Sequence, residues 1–377
     1  MLFRSYYLTR AGCPRAGDNS ICYPHRYTEY NQRFNRPQQL RREEPPMTEG
    51  LTVPPGMRYD ERRQFLLPQG IVARNLAEHP LFPRPKRNSR AAAFDELAGN
   101  TTLGIHLSQM SPGGTKPGHR HVDEAALFVI YGYGYSEMRQ DDSKELQRVD
   151  WKAGDIIAIP SNAWHEHFNG DPDKPTLQLA FKNTRWLRTL VGNREFVYEN
   201  DFRFHDRYDD EADYWTRHKM LDDGRIDANV LHDLANEPLA PAPDYGDRVT
   251  MNRYRMGGHW MLDFSIVEME SGGTTQAHNP IAEDALYGLS GQFRTTIWDD
   301  EGREQVIEWG DGDLLSPPLG IWRRHETRGG KPARYLLVRN NFFNVALGND
   351  DDPLHTPIPD RYPTMIEPDY SDYVDPA

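Results

Sequence analysis

Cysteine is nearly absent from this chain: Cys13 and Cys22 are the only two, and both sit near its start. Two thiols so placed cannot cross-link the body of the chain, and no Cys-x-x-Cys pair suggests a zinc knuckle. The expected compartment is therefore a reducing cytoplasm. Long apolar runs are missing too. No segment approaches the roughly 20 apolar residues that cross a bilayer, and the start MLFRSYYLTRAGCPRAGDNS has no apolar core like that of a secretory leader. Positive charge is in short supply: 44 Lys and Arg face 57 Asp and Glu, a net charge of −13. That balance excludes a nonspecific nucleic-acid binder, which needs a basic surface. A small anionic ligand is still compatible, because one bound cation dominates the field at short range.

What is abundant is turn chemistry. Thirty Gly and 29 Pro are spread over 377 residues, which fits a loop-rich β protein long enough for two separate cores. Residues 1–46 carry eight arginines against four acids and show no periodicity, so a flexible N-terminal extension is expected. Met47 then opens MTEGLTVPPGMRYDERRQ, which reads as an ordinary protein start; an upstream start codon assigned in error or a functional arm are the other readings of 1–46. From about Thr101 the chain reads as short strands: TTLGIHLSQM, ALFVIYGYGYSEM, DIIAIP and LQLAFKN, punctuated by glycine and proline. Short strands with regular turn signals argue for a jelly-roll barrel.

The sequence also repeats itself. GGTKPGHRHVDEAALFVIYGYG is echoed by GGTTQAHNPIAEDALYGLSGQF, so that Gly113, His119, Glu124 and Gly132 match Gly272, His278, Glu283 and Gly291. Trp164 likewise matches Trp322 in WGDGDLLSPPLGIWRRHET. Two copies of one fold are expected: a barrel over 47–195 and a second over 246–345. The acidic, aromatic stretch 196–245 is read as a connector with one or two short helices, packed by Tyr208, Tyr214 and Trp215. The Pro- and Asp-rich tail 346–377 is read as extending over the surface or a partner subunit.

The chemistry concentrates in two histidine clusters, His119-Arg120-His121 and Trp164-His165-Glu166-His167. Residues i and i+2 of a strand share a face, so His119 and His121 can both turn inward. His165 supplies a third imidazole, and three neutral imidazoles suit a divalent transition metal. Buried or surface histidines without metal are the competing reading.

These segments resemble the two motifs of the cupin superfamily. Gly113, five residues, His119-x-His121 and Gly132 match the first; Gly154, five residues, Pro160, His165 and Asn169 match the second. The resemblance implies an all-β bicupin: two antiparallel jelly-roll β-barrels with a short helical connector. Cupins usually place a glutamate ligand where this chain has Ala125. Glu124 lies one residue earlier, and a one-residue displacement turns a strand side chain to the opposite face. The site is therefore read as a three-histidine centre.

Among cupins the pattern is similar to the group of gentisate, salicylate and 1-hydroxy-2-naphthoate dioxygenases, through His119 to Gly132 and Pro160 to Asn169. That resemblance implies iron(II), with manganese, nickel, copper and zinc also admitted by the ligand type. It implies an aromatic acid and O2 as substrates, ring cleavage, and a homo-oligomer, dimer or tetramer, without nucleic-acid or membrane partners. His167 is the candidate proton-moving residue, the alternative being a histidine that only hydrogen-bonds within the barrel. The pocket departs from the group. Leu127 stands where an arginine is usual, and Gly104 and Ser108 stand where Trp and Gln are common. Gly104, His106 and Ser108 share one strand face and are read, with Leu127, as lining a wider pocket. Arg87 or Arg90 could clamp a carboxylate, unless that stretch is simply a solvated basic segment.

The second barrel has lost the ligand set: His278 persists, but Pro280 and Arg323 stand at the other two positions, with Asp284 and His325 nearby. Structural support and dimer contacts are its expected roles. Two function classes follow. One is an iron-dependent ring-cleaving dioxygenase of a hydroxylated or amino-substituted aromatic carboxylate. The other is a non-oxidative lyase, isomerase or hydrolase whose metal acts as a Lewis acid. A metal-free binding or storage bicupin is the third possibility.

Overall fold

In the computed structural model the described residues are 70–94 and 97–341, with the backbone strands Met57–Asp60 and Phe65–Pro68. The expectations for 1–46 and 346–377 lie outside these residues. Strands begin well before Thr101: Met57–Asp60 pairs with Phe65–Pro68, and Phe82–Arg84 pairs with Ser89–Ala93. Their short length and interspersed Pro and Arg hid them from a periodicity reading. Among the described residues no helix is long and apolar enough to cross a membrane.

The first barrel is built from two facing sheets. One runs Gln147–Lys152, Tyr133–Arg139, Trp164–Asn169, Thr115–His119. The other runs Val230–Leu231, Ile156–Ile159, Ala125–Tyr131, Thr176–Lys182, Gly104–Met110, Ser89–Ala93, Phe82–Arg84. Neighbours in both are antiparallel. Gly132 separates two strands of this barrel at φ 90°, and a Cβ there would sit 2.6 Å from Thr176. Only glycine makes that turn without strain.

The second barrel repeats the plan through Gly246–Arg255, Leu262–Thr275, Ala333–Asn340, Glu283–Ser290 and Leu314–Leu315, with Gln292–Trp298 between Glu304–Gly310 and Trp322–Arg328. Each barrel takes an edge strand from outside its own stretch. Val72–Ala73, from the N-terminal side, pairs with Leu314–Leu315, while Val230–Leu231 of the connector pairs with Ile156 and Ile157. Neither stretch, 47–195 or 246–345, completes its own sheet.

Strand faces explain the apolar runs. Along Ala125–Tyr131, Ala126 and Phe128 join a core shared with Phe264, Ile266, Leu336 and Val338 of the second barrel. Ala125, Leu127 and Val129 instead pack inside the first barrel with Met138, Trp151 and Ile157. A strand buried on both faces has no polar alternation to show. The helices Thr184–Val191 and Arg194–Tyr198 precede most of the connector, which itself holds one 3-10 turn and four short strands. Tyr208, Tyr214 and Trp215 form one aromatic cluster against Ala163, as the sequence suggested.

Two carboxylates tie the barrels together. Glu124 continues the Ala126/Phe128 face and accepts hydrogen bonds from the backbone N–H groups of Trp260, Met261 and Leu262 at 2.7, 3.0 and 3.0 Å. Its repeat counterpart Glu283 accepts from the backbone of Thr101, Thr102 and Leu103 at 2.6, 2.8 and 2.7 Å. Each barrel thus grips the other's entering strand through the same glutamate of its repeat.

Candidate metal centre

His119 closes the strand Thr115–His119 and lies directly opposite His165 on Trp164–Asn169. His121 lies just past the strand end, so the i, i+2 rule is met by an irregular turn rather than by a continued strand. The turn is pinned: Asn162 N–H donates to the His121 carbonyl at 2.7 Å, and the Arg120 guanidinium pairs with Asp142 and the Asn162 carbonyl. Close strand approach is needed beside the site, where a Cβ on Gly118 would fall 2.1 Å from the Trp164 ring.

The three imidazoles converge. One ligand nitrogen from each of His119, His121 and His165 lies within 4.8 Å of the others, and their ring centroids are 4.3 to 5.5 Å apart. Each Nδ1 faces a backbone carbonyl: Pro117 at 3.1 Å, Asp123 at 3.2 Å and Ala163 at 2.9 Å. An Nδ1–H donated there turns each Nε2 lone pair to the shared centre, where that of His121 accepts from Lys182 Nζ, a contact a bound metal would displace. Burial, with neighbouring positive groups, holds all three well below the ordinary histidine range, His165 at about 3. Neutral rings are the form a metal requires. The donor set therefore fits a divalent transition ion with no carboxylate ligand.

Glu124 takes no part in this group, being engaged at the barrel–barrel junction. Asp123, which sequence reasoning passed over, does approach it. Its Oδ1 is 3.2 Å from His121 Nδ1, and Thr184 donates to its Oδ2. It backs the His121 ring rather than the metal position.

His167 shares the inward face of its strand with His165, their ring centroids 5.4 Å apart. Its Nδ1 is 2.7 Å from Ser136 Oγ, which also accepts from Trp151 Nε1 at 2.9 Å. The second barrel repeats this chain in Trp309, Thr295 and His325, at 2.8 Å for both links. Because the repeat keeps it where the ligands are lost, the Nδ1 tie belongs to the barrel. Any role toward substrate falls to His167 Nε2.

The opposite wall carries three cross-strand pairs: Gly104 with Lys182, His106 with Ala180 and Ser108 with Gln178. Ile105 and Leu107 between them join the inter-barrel core, which leaves Gly104, His106 and Ser108 facing the barrel interior. Leu127 is buried in the same interior. Arg90 is a correction. It is opposite Gln109, one residue out of phase with Ser108, and donates to the Leu81 carbonyl at 2.9 Å. Alternation turns it away from the site. The cations that do bear on the histidines are Lys182, Lys116, Arg87 and Arg84. Lys182 Nζ is 3.4 Å from His121 Nε2, and Lys116 Nζ donates to Gln178 Oε1 at 2.7 Å. Neither lysine carried a sequence signal, because each is the lone cation of an otherwise ordinary strand.

In the second barrel an ion network occupies the equivalent place. Asp284, on the face opposite to Glu283, is paired with both Arg323 and Arg339, and His278 bridges to Arg323 through its backbone. A guanidinium thus stands where the first barrel has its third imidazole.

Residues 106–179, which include all three converging histidines and His167, match the cupin domain family. Gentisate 1,2 dioxygenase 1 of Aquipseudomonas alcaligenes is 35% identical over 79 residues, 21% of this chain and 21% of that protein. 5-Aminosalicylate 1,2-dioxygenase of Comamonas sp is 30% identical over 97 residues, 26% of this chain and 24% of that one. The chain thus aligns with about a quarter or less of the length of these two relatives. Gentisate 1,2-dioxygenase of Haloferax sp is 22% identical over 282 residues, covering 66% of this chain and 75% of that one. Among solved structures, oxalate decarboxylase of Bacillus subtilis is 15% identical over 72% of this chain and 77% of that chain, with a TM-score of 0.48.

Proposed function

We propose that this cupin chain is an iron(II)-dependent dioxygenase that cleaves the ring of a hydroxylated or amino-substituted aromatic carboxylate. The observation that carries the proposal is the donor set: three neutral imidazoles and no carboxylate. Similarity to dioxygenases of gentisate and 5-aminosalicylate supports the substrate class. Held by His119, His121 and His165, an iron(II) ion would supply sites for O2 and for the paired carboxylate and hydroxyl or amino group of the substrate. Three imidazoles leave its full 2+ charge, which favours an anionic chelator.

The surrounding residues do the positioning. Lys182, beside His121 on the opposite wall, is placed to meet the substrate carboxylate. This is the role that neither Leu127 nor Arg90 can fill. Gly104 and His106 leave room for ring substituents, with His106 as a polar contact. His167 Nε2 is the group that takes or returns a proton of the ring hydroxyl, with Ser136 fixing its orientation through Nδ1. Replacement of His167 by Ala is expected to lower kcat by about 100-fold or more while metal content stays at the wild-type level. Normal metal with undiminished turnover would leave His167 only its place in the Trp151–Ser136 chain.

The test of the function is oxygen uptake after anaerobic iron loading, across gentisate, salicylates, aminobenzoates and hydroxynaphthoates. We expect weak activity on gentisate and a kcat/KM at least about tenfold higher on a larger or differently substituted acid that fills the space left by Gly104 and reaches His106. Gentisate as the best substrate by that margin would refute this view of the pocket. Should no aromatic acid support oxygen uptake, the Lewis-acid alternative, a lyase, isomerase or hydrolase, takes its place.

A further inference from the structure

Lys116 and Gln178 sit where the three-histidine centre leaves them no task. Lys116 belongs to the sheet that carries His119 and His165; Gln178 belongs to the facing sheet. The lysine spans the interior to donate to Gln178 Oε1 at 2.7 Å, and the two residues are 9% and 0% exposed. That bond uses one of three ammonium donors. Gln178 Nε2 is buried and has no hydrogen-bond partner. Among the described residues Lys116 makes no ion pair, and the nearby charged groups felt by it are Lys182, Arg87 and Arg84, all positive. Burial and these like charges lower Lys116 to about 7.

An ammonium in such a place is costly unless an anion joins it, and an unsatisfied amide N–H2 beside it adds directed donors. Ser108 lies directly opposite Gln178 and contributes a hydroxyl to the same patch. Lys116 precedes His119 by three residues, and a bulge between them sets Lys116 level with His167 and His119 level with His165, so both turn to the inward face. The Cα atoms of Lys116 and His119 are then spaced like residues two apart in a regular strand, about 7 Å, so an aromatic acid held at the histidines can turn a second polar group toward Lys116.

We propose that Lys116 and Gln178, with Ser108, form an anion subsite for a second acidic substituent of the substrate ring, remote from the group bound at the histidines. The substrate class is then an aromatic diacid. It carries one carboxylate beside a hydroxyl or amino group at the metal end, and a further carboxylate or sulfonate at the Lys116 end. This assignment rests on the aromatic-acid function proposed above and narrows it.

The test is calorimetric titration of the full-length, zinc-loaded protein, which reads binding without turnover. Three ligands are compared: salicylate, 5-carboxysalicylate and its neutral amide 5-carbamoylsalicylate. The wild type is expected to bind 5-carboxysalicylate at least about tenfold more tightly than the other two, in line with a charge-assisted hydrogen bond. Lys116→Met should remove that preference while salicylate affinity changes by less than about threefold. Gln178→Leu should reduce the preference as well, and serves as the second variant should Lys116→Met not fold. Equal wild-type binding of all three ligands, or a preference that survives both substitutions, overturns the subsite and leaves the aromatic-acid function standing. Binding of none of them overturns both.

Discussion

Replacing His165 by Ala is expected to strip the metal from the protein and abolish turnover while leaving the barrel folded. His165 is the middle of the cluster, 4.3 Å from the His119 ring and 4.7 Å from His121. Substitutions that touch only the groups behind a ligand already cost 10- to 100-fold in metal affinity, so loss of a ligand should exceed about 100-fold. Stability should suffer less. The imidazole is buried and hydrogen-bonded only through Nδ1 to the Ala163 carbonyl, a local contact within its own strand approach. His119→Ala and His121→Ala should behave alike, because among the described residues these three donors make up the group. Metal analysis after desalting, beside far-UV circular dichroism, reads both halves of this expectation. Stoichiometric metal in all three variants would show that the centre has been misplaced.

Glu124→Ala should do the reverse: weaken the fold and spare the metal. The carboxylate is 4% exposed and accepts from three consecutive backbone N–H groups of the second barrel. It also meets Arg207 and Asn183, at 3.3 and 3.2 Å. Its removal strands three backbone donors, that of Leu262 buried, and a guanidinium, for which about 3–5 kcal/mol is the usual cost. For a protein of this size that corresponds to a fall in Tm of roughly 4–6 °C. Glu283→Ala should match it, since its carboxylate grips Thr101 to Leu103 in the same manner. Below the transition, metal content of the Glu124 variant should equal that of the wild type. A Tm within about 2 °C of wild type would mean that water replaces the carboxylate at the junction without loss.

These two outcomes separate residues that the sequence places side by side. Glu124 looked like a displaced ligand, and the period of a strand alone argued that it faces away. What it faces, the second barrel's backbone, no local pattern could reveal. Arg90 failed for the related reason that its phase on Ser89–Ala93 depends on pairing with Gly104–Met110, and that register shows only when the strands meet.

The sequence by itself determined the repeat, the three imidazoles and the shared strand face of Gly104, His106 and Ser108. All three are periodic or motif-borne: side chains alternate along a strand, and glycines at fixed offsets set the turns between strands. Tertiary structure alone decided the reciprocal glutamate grips, the edge strands supplied from outside each barrel, the arginine network of the second barrel and the buried lysines of the first. Each of these joins residues from separate strands or from both barrels, and a lone Lys116 or Lys182 in its strand gives no warning of the partner it meets across the interior. Burial and opposition across a barrel are properties of the packed sheets, which is why they appear only once the chain is closed on itself.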